Sequence, residues 1–140
     1  MTHFQTYATI AIMIKVTKIV PEFTDERGYI SRIIDQDTYK IRSVLYIKRK
    51  KGSVGANHYH KKDAHYIFVL TGKVRYGEKN MKKKDSKTEF VILKPGDVVL
   101  SKPGIAHITE FLTDSVILAF TTENRNQKSY EKDTVRLKLE

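Results

Sequence analysis

The sequence contains no cysteine. This excludes a disulfide-stapled scaffold, a thiol nucleophile and any cysteine-ligated metal centre, though it leaves the compartment open. Long hydrophobic runs are missing as well. The apolar stretch Tyr7–Ile14 is too short to cross a bilayer, has no basic segment before it, and is followed by Lys15 and Lys18 instead of a small-residue cleavage site. No targeting or membrane segment is read there, no membrane partner is expected, and the cytoplasm is the expected location. Acidic residues are in deficit, 16 against 26 basic, giving a formal net charge of +10. Helical periodicity is nearly absent.

What remains is one domain of ordinary size, 140 residues of which 40% are hydrophobic, able to bury a core without staples. Met13-Ile14-Lys15-Val16 opens a plausible domain spanning 13–140. Residues 1–12 are then an extension, disordered or strand-exchanged. The positive charge favours an anionic partner. Most of it is lysine, crowded into Lys48-Arg49-Lys50-Lys51 and the Lys79–Lys87 stretch. Nucleic-acid readers combine arginine with interleaved aromatics, so nucleic acid is not the expected partner. An anionic small molecule is.

Short alternating runs fill the chain: Lys15–Val20, Tyr29–Asp35, Arg42–Lys50, Gly55–His60, His65–Thr71, Lys73–Tyr76, Thr88–Leu93, Val98–Ser101, Ala106–Phe111, Ser115–Phe120 and Thr134–Leu139. Asp25-Glu26-Arg27-Gly28, Thr71-Gly72-Lys73 and Pro95-Gly96-Asp97 read as tight turns. Glu78–Lys87, with Lys82-Lys83-Lys84, reads as an exposed hairpin loop. About ten short strands with no room for crossover helices make an all-β antiparallel sandwich or barrel.

The chemistry is concentrated in four histidines. His58 and His60 stand two apart on one strand, so their side chains leave the same face. His65 begins the next strand after a four-residue turn, and His107 follows a glycine turn on a later one. Buried together, four imidazoles need partners for their ring nitrogens, and a divalent metal satisfies all four at once. Mn, Fe, Ni, Cu and Zn all accept imidazole. The competing reading leaves three ligands, with His65 only hydrogen-bonded near its hairpin.

Gly55-x2-His58-x-His60-x4-His65-x6-Gly72 resembles the first motif of the cupins, and Gly96-x6-Pro103-Gly104-x2-His107 resembles the second. Three departures stand out. His65 occupies the usual glutamate position; the glycine spacings differ, Gly55 lying closer to the first histidine and Gly96 one residue further from Pro103 than the pattern asks; and Phe111 replaces a terminal asparagine. The resemblance implies a double-sheet antiparallel jelly-roll barrel holding one divalent transition metal on His58, His60, His65 and His107. Without the carboxylate, such a site keeps the full charge of the ion and holds anionic ligands more strongly.

Phe23-Thr24-Asp25-Glu26-Arg27-Gly28-Tyr29-Ile30, together with the Ile41–Ile47 stretch, Gly52 and the Asn57–Lys62 stretch, is similar to a narrower group. This comprises the RmlC-like sugar-nucleotide epimerase and ketoisomerase cupins. The likeness implies proton transfer next to a keto group of a sugar, with His58 or His60 as base and Tyr46 or Tyr59 as proton donor. A metal on the same histidines, polarising the carbonyl, is the rival mechanism, because a ligated nitrogen cannot also accept a proton. The arginine that precedes the first histidine segment in that group is replaced here by Gly55-Ala56. Arg32, Arg42 and Arg75 are the candidates to hold phosphate in its place, with Lys48 beside them.

Three function classes stay open at this point: a keto-sugar isomerase or epimerase, a metal-dependent oxygenase or redox cupin, and a non-catalytic ligand-binding cupin. A homodimer is expected, because Tyr66, Phe68 and Leu70 are too apolar for an outward face and an N-terminal strand of such cupins often joins a neighbour's sheet. The alternative places those three residues beneath the chain's own second sheet.

Overall fold

The computed structural model describes residues 14–139; the extension expected at 1–12, and Met13, lie outside the described residues. In chain order the elements are β1 (Thr17–Lys18), β2 (Phe23–Asp25), β3 (Gly28–Ile30), β4 (Ser43–Arg49), β5 (Val54–His60), β6 (His65–Thr71), β7 (Val74–Asn80), β8 (Glu89–Leu93), β9 (Asp97–Ser101), β10 (Ile105–Phe111), β11 (Ser115–Thr121), α1 (Gln127–Asp133) and β12 (Thr134–Arg136). Ten strands form two antiparallel five-stranded sheets, ordered β1-β9-β6-β11-β4 and β12-β5-β10-β7-β8, while β2 and β3 pair separately. This is the RmlC-like jelly-roll cupin architecture.

Period-two patterning builds both layers. Along β11, Ser115, Ile117, Ala119 and Thr121 turn inward while the intervening residues turn out. Ile67, Val69, Val99 and Ile117 from the first sheet meet Val74, Tyr76, Leu93 and Phe111 from the second in one core. Burial of this apolar surface, at about 25 cal/mol per Å2, is what holds the two layers face to face.

Turn chemistry fixes the corners. Gly72 and Gly96 have φ of 90° and 91°, as the two turns require. A Cβ on Gly72 would sit 2.6 Å from the Asp114 carbonyl oxygen, so this corner excludes larger residues twice over. The Asp25 carboxylate accepts from the Arg27 amide at 2.9 Å and pairs with its guanidinium, closing the β2–β3 turn.

Four expectations change. The Lys15–Val20 run shortens to Thr17–Lys18, and the Tyr29–Asp35 run stops at Ile30. There Arg32 turns back to pair with Glu22 and Asp35. Strand β7 continues to Asn80, so Glu78 lies buried inside the barrel and not in an exposed loop; the exposed segment begins at Met81. The residues at 127–133 form a short helix that the strand pattern did not foresee. Tyr66, Phe68 and Leu70 do lie on the outer face of β6, because His65, Ile67 and Val69 point in, yet Phe68 is buried there and only Leu70 is well exposed.

Candidate active site

A cavity of about 140 Å3 opens between the sheets at the end where β5, β6 and β10 bring the histidines together. His58 lies 4.6 Å from His60 and 4.7 Å from His107, ring centre to ring centre, and His65 lies 4.7 Å from His107 and 5.2 Å from His60. The ring nitrogens of His58, His60 and His107 fall within 4.8 Å of one another; His60, Asp63 and His65 form a second such group. All four histidines are buried.

A β-bulge makes this convergence possible. On β5, His58 pairs with His107 and Ala56 with Ile108, leaving Asn57 as an extra residue. Ala56 and Asn57 both have positive φ, 63° and 67°. Gly55 and His58 are three apart, so an unbroken strand would send them to opposite faces. The bulge restores the parity, and both line the cavity. Gly55 is needed there, because a Cβ would come within 2.8 Å of Thr109 Oγ1. Asn57 also ties down the C-terminal segment, accepting from the Leu137 and Leu139 amides at 2.9 Å each.

Hydrogen bonds orient three of the rings. Thr134 donates its only hydroxyl proton to the Tyr130 carbonyl at 2.6 Å, so its oxygen accepts from His60 Nδ1 at 3.3 Å; an Asp133 carboxylate oxygen lies 3.5 Å from the same nitrogen. His65 Nδ1 meets the Asp63 carboxylate at 3.2 Å, and His107 Nδ1 meets Ser101 Oγ at 3.0 Å. With Nδ1 engaged, each ring has Nε2 left for the cavity.

Burial is the main electrostatic force on these rings. It lowers His58 to about 3, helped by the neighbouring His60 and His65, and His60 to about 4, helped by His65 and opposed by Asp63. His107, the deepest, is pushed well below the ordinary histidine value by burial and then by the other three rings. Burial raises the Asp63 carboxyl, but hydrogen bonds from His65 and Thr122 outweigh that and keep it below its usual range. His58, His60 and His107 therefore present neutral imidazoles to the cavity, donors of the kind that a divalent transition metal takes.

The other predicted site residues lie elsewhere. Tyr46 is 66% exposed, on the face of β4 opposite Leu45 and Ile47, which line the cavity. Tyr59 points away from it, since the alternation that turns His58 and His60 inward turns the residue between them outward. Arg32 is held outside by Glu22 and Asp35, Arg75 pairs with Glu110 and lies over the Phe90 ring, and Arg42 is exposed beyond the cavity lining. The cationic and phenolic groups that do line it are Arg49, Arg125 and Tyr130. Arg49 shares its inward parity with Leu45 and Ile47. Tyr130 comes from α1, its ring 6.1 Å from His58 and 5.9 Å from His60, with the Arg125 guanidinium 3.9 Å above it. Its only local sequence signal is the helix cap Asn126, whose side chain accepts from the Ser129 amide.

The fold recurs in solved sugar-nucleotide enzymes. The sugar 3,4-ketoisomerase QdtA from Thermoanaerobacterium thermosaccharolyticum, in complex with TDP, is 21% identical with a TM-score of 0.69, over 88% of this chain and 87% of that one. A 3,4-ketoisomerase from Helicobacter canadensis matches at 14% identity and a TM-score of 0.71, over 89% and 91%. A dTDP-4-dehydrorhamnose 3,5-epimerase from Sulfolobus tokodaii matches at 21% and 0.69, over 87% and 77%. No protein of curated function matches at a significant level. At these identities the likeness shows the fold alone, but the model of the family described as FdtA, WxcM-like, C-terminal matches residues 12–138, and the chain belongs to that family.

Proposed function

We propose that this protein isomerises or epimerises a keto sugar carried on a nucleoside diphosphate, and that His58, His60, His65 and His107 hold one divalent transition metal in the reacting pocket. The observation that carries the reading is the convergence of four imidazoles, three with Nδ1 already engaged, in one cavity. When bound, the metal supplies Lewis-acid polarisation of the keto oxygen, which acidifies the neighbouring C–H.

The chain's own groups do the rest. Arg49 and Arg125 offer planar, permanently charged forks to the diphosphate. Ile47, Ile67, Phe111 and Ile117 form an apolar wall that strengthens those contacts by excluding water. Tyr130 Oη, outside the imidazole set, is the group placed to hold the proton that moves between carbon and oxygen.

Titration with TDP, and incubation of a TDP-linked keto sugar in deuterated water followed by NMR, test the reading. Binding of TDP with metal-dependent deuterium uptake beside the keto group is expected. Uptake that survives complete chelation assigns the proton transfer to His58 and His60 themselves. No TDP binding and no uptake overturns the sugar-nucleotide reading. The all-imidazole donor set also favours a second reading, an oxygen-dependent redox cupin, for which the metal-loaded protein would consume dissolved oxygen with a substrate. We further propose a homodimer: the β2–β3 hairpin exposes Phe23, Tyr29 and Ile30, and a two-stranded ribbon is marginal without a surface to pack on. Light scattering giving the mass of one chain would rule it out.

A further inference from the structure

The turn between β5 and β6 holds both ends of the segment that carries Arg125 and Tyr130. The buried Asp63 carboxylate turns Oδ1 toward the end of β11. There it accepts from the Thr122 amide at 2.9 Å, the Thr122 hydroxyl at 3.2 Å and the Glu123 amide at 3.2 Å. The Thr122 hydroxyl oxygen in turn accepts from the Ala64 amide at 3.0 Å. At the other end of the segment, the Asp133 carboxylate accepts from the Lys62 and Asp63 amides at 2.7 and 3.1 Å. The Asp133 carbonyl accepts from the Lys61 amide at 2.9 Å.

The helix α1 cannot place itself. Its seven residues are too few for a stable isolated helix, and none of them is buried. Pairing of β12 with β5 fixes where the segment returns to the sheet. Hydrophobic burial does not decide where it leaves β11; hydrogen bonds do. We propose that Asp63 and Thr122 form a clasp that positions Arg125 and Tyr130 at the histidine pocket. Both are positioning residues, acting through the Thr122–Glu123 backbone that leads into Arg125. The inference rests on the proposed function only in what Arg125 and Tyr130 do once placed, which is to meet the diphosphate and to hold the moving proton.

The sequence hides this arrangement, because Asp63 reads as an ordinary turn residue and its partners lie about sixty positions further on. Hydrogen bonds to a carboxylate are roughly twice as strong as neutral ones, so three of them on one oxygen make a firm anchor. The Thr122 hydroxyl serves both directions, donating to Asp63 and accepting from Ala64. Its loss leaves the Ala64 amide, on a residue with no exposure, without that acceptor. The same turn carries His60 at its start and His65 at its end. The histidines and the groups facing them across the pocket thus share one frame.

Thr122→Val keeps the shape of the side chain and removes both hydroxyl bonds, whereas Thr122→Ser restores the hydroxyl. The placement of α1 can be read from NMR cross-relaxation between the Tyr130 and His58 ring protons in metal-free protein, since the ring centres lie 6.1 Å apart. Tyr130→Phe identifies the Tyr130 signals. The cross-peaks are expected in the unaltered protein and in Thr122→Ser, and should be lost in Thr122→Val while its circular dichroism stays native. TDP binding should weaken by about tenfold in Thr122→Val and recover in Thr122→Ser. Cross-peaks unchanged in Thr122→Val overturn the proposal. If the unaltered protein binds no TDP, the sugar-nucleotide reading fails while the ring contacts still decide the clasp. Hydrogen exchange of the unaltered protein decides it even if Thr122→Val does not fold. The Thr122 and Glu123 amides should exchange more slowly than that of exposed Asn124 by about tenfold or more, and equal rates overturn the clasp.

Discussion

His58, His60 and His107 sit where burial and mutual repulsion oppose any positive charge, and this sets how stability responds to acid. Unfolding returns each ring to water, where its value is near 6.5, whereas His58 and His60 take a proton in the folded state only near 3 and 4. Below 6.5 the unfolded chain therefore binds more protons, and stability falls as pH drops. The slope is on the order of 1 kcal/mol per pH unit for each histidine. Glu78 acts with the opposite sign: raised from 4.5 to about 7, it contributes stability below 4.5 that is lost as pH climbs through 7. The histidines outnumber it. Urea unfolding of the metal-free protein should show a midpoint that falls steeply below about pH 6, and Glu78→Gln should steepen that dependence by removing the opposing contribution. A midpoint flat across this range would mean the rings are not held neutral.

The site was legible at this scale only where parity was legible. His58 and His60 stand out because polar residues at i and i+2 on an apolar strand declare a face. The same rule places Tyr59 outside. In Val44-Leu45-Tyr46-Ile47 every residue is apolar or aromatic, so alternation carries no signal, and which face Tyr46 and Arg49 take is decided by tertiary pairing with β11.

At the scale of elements, the bulge and the helix control the pocket from its two sides. Ala56 holds a left-handed conformation that costs a non-glycine residue roughly 1 kcal/mol or more. Ala56→Gly should relieve that cost and raise Tm by a few degrees, about 4 °C per kcal/mol for a domain of this size. Deleting Asn57 should do the reverse, because without the bulge Gly55 and His58 cannot share a face; loss of metal binding in a folded deletion variant, seen by circular dichroism and metal titration, is the outcome to look for. Neither feature was readable beforehand. The bulge showed only as Gly55 lying too near His58 for the cupin spacing, and α1 is seven residues with no buried face, too short and too polar to produce a helical period. Because α1 buries nothing, its cap matters. Asn126→Ala removes the acceptor for the Ser129 amide and should cost about 1 kcal/mol locally. The consequence expected is a raised KM with little change in global Tm, since what frays is the wall carrying Tyr130.

Over the whole molecule, the charge of +10 and the placement of the arginines act at different ranges. Lys48, Lys50 and Lys51, and Lys82 to Lys84, lie on exposed surface, where salt screens them within a Debye length of about 8–10 Å. They steer an anion toward the protein without choosing its resting place. Arg49 and Arg125 line the cavity itself, and Arg125 is further fixed against the Tyr130 ring. Raising ionic strength should therefore slow TDP association by much more than it speeds dissociation. Arg125→Gln should show the complementary pattern: dissociation faster by at least tenfold, with the salt dependence of association nearly unchanged. Replacing Lys82, Lys83 and Lys84 together by Gln should lower the association rate alone. Stopped-flow measurement of both rate constants against salt separates the two contributions. If Arg125→Gln left dissociation untouched, the diphosphate would have to rest outside the histidine cavity, and the jelly roll would be presenting its anionic ligand on a different face from the one its four imidazoles define.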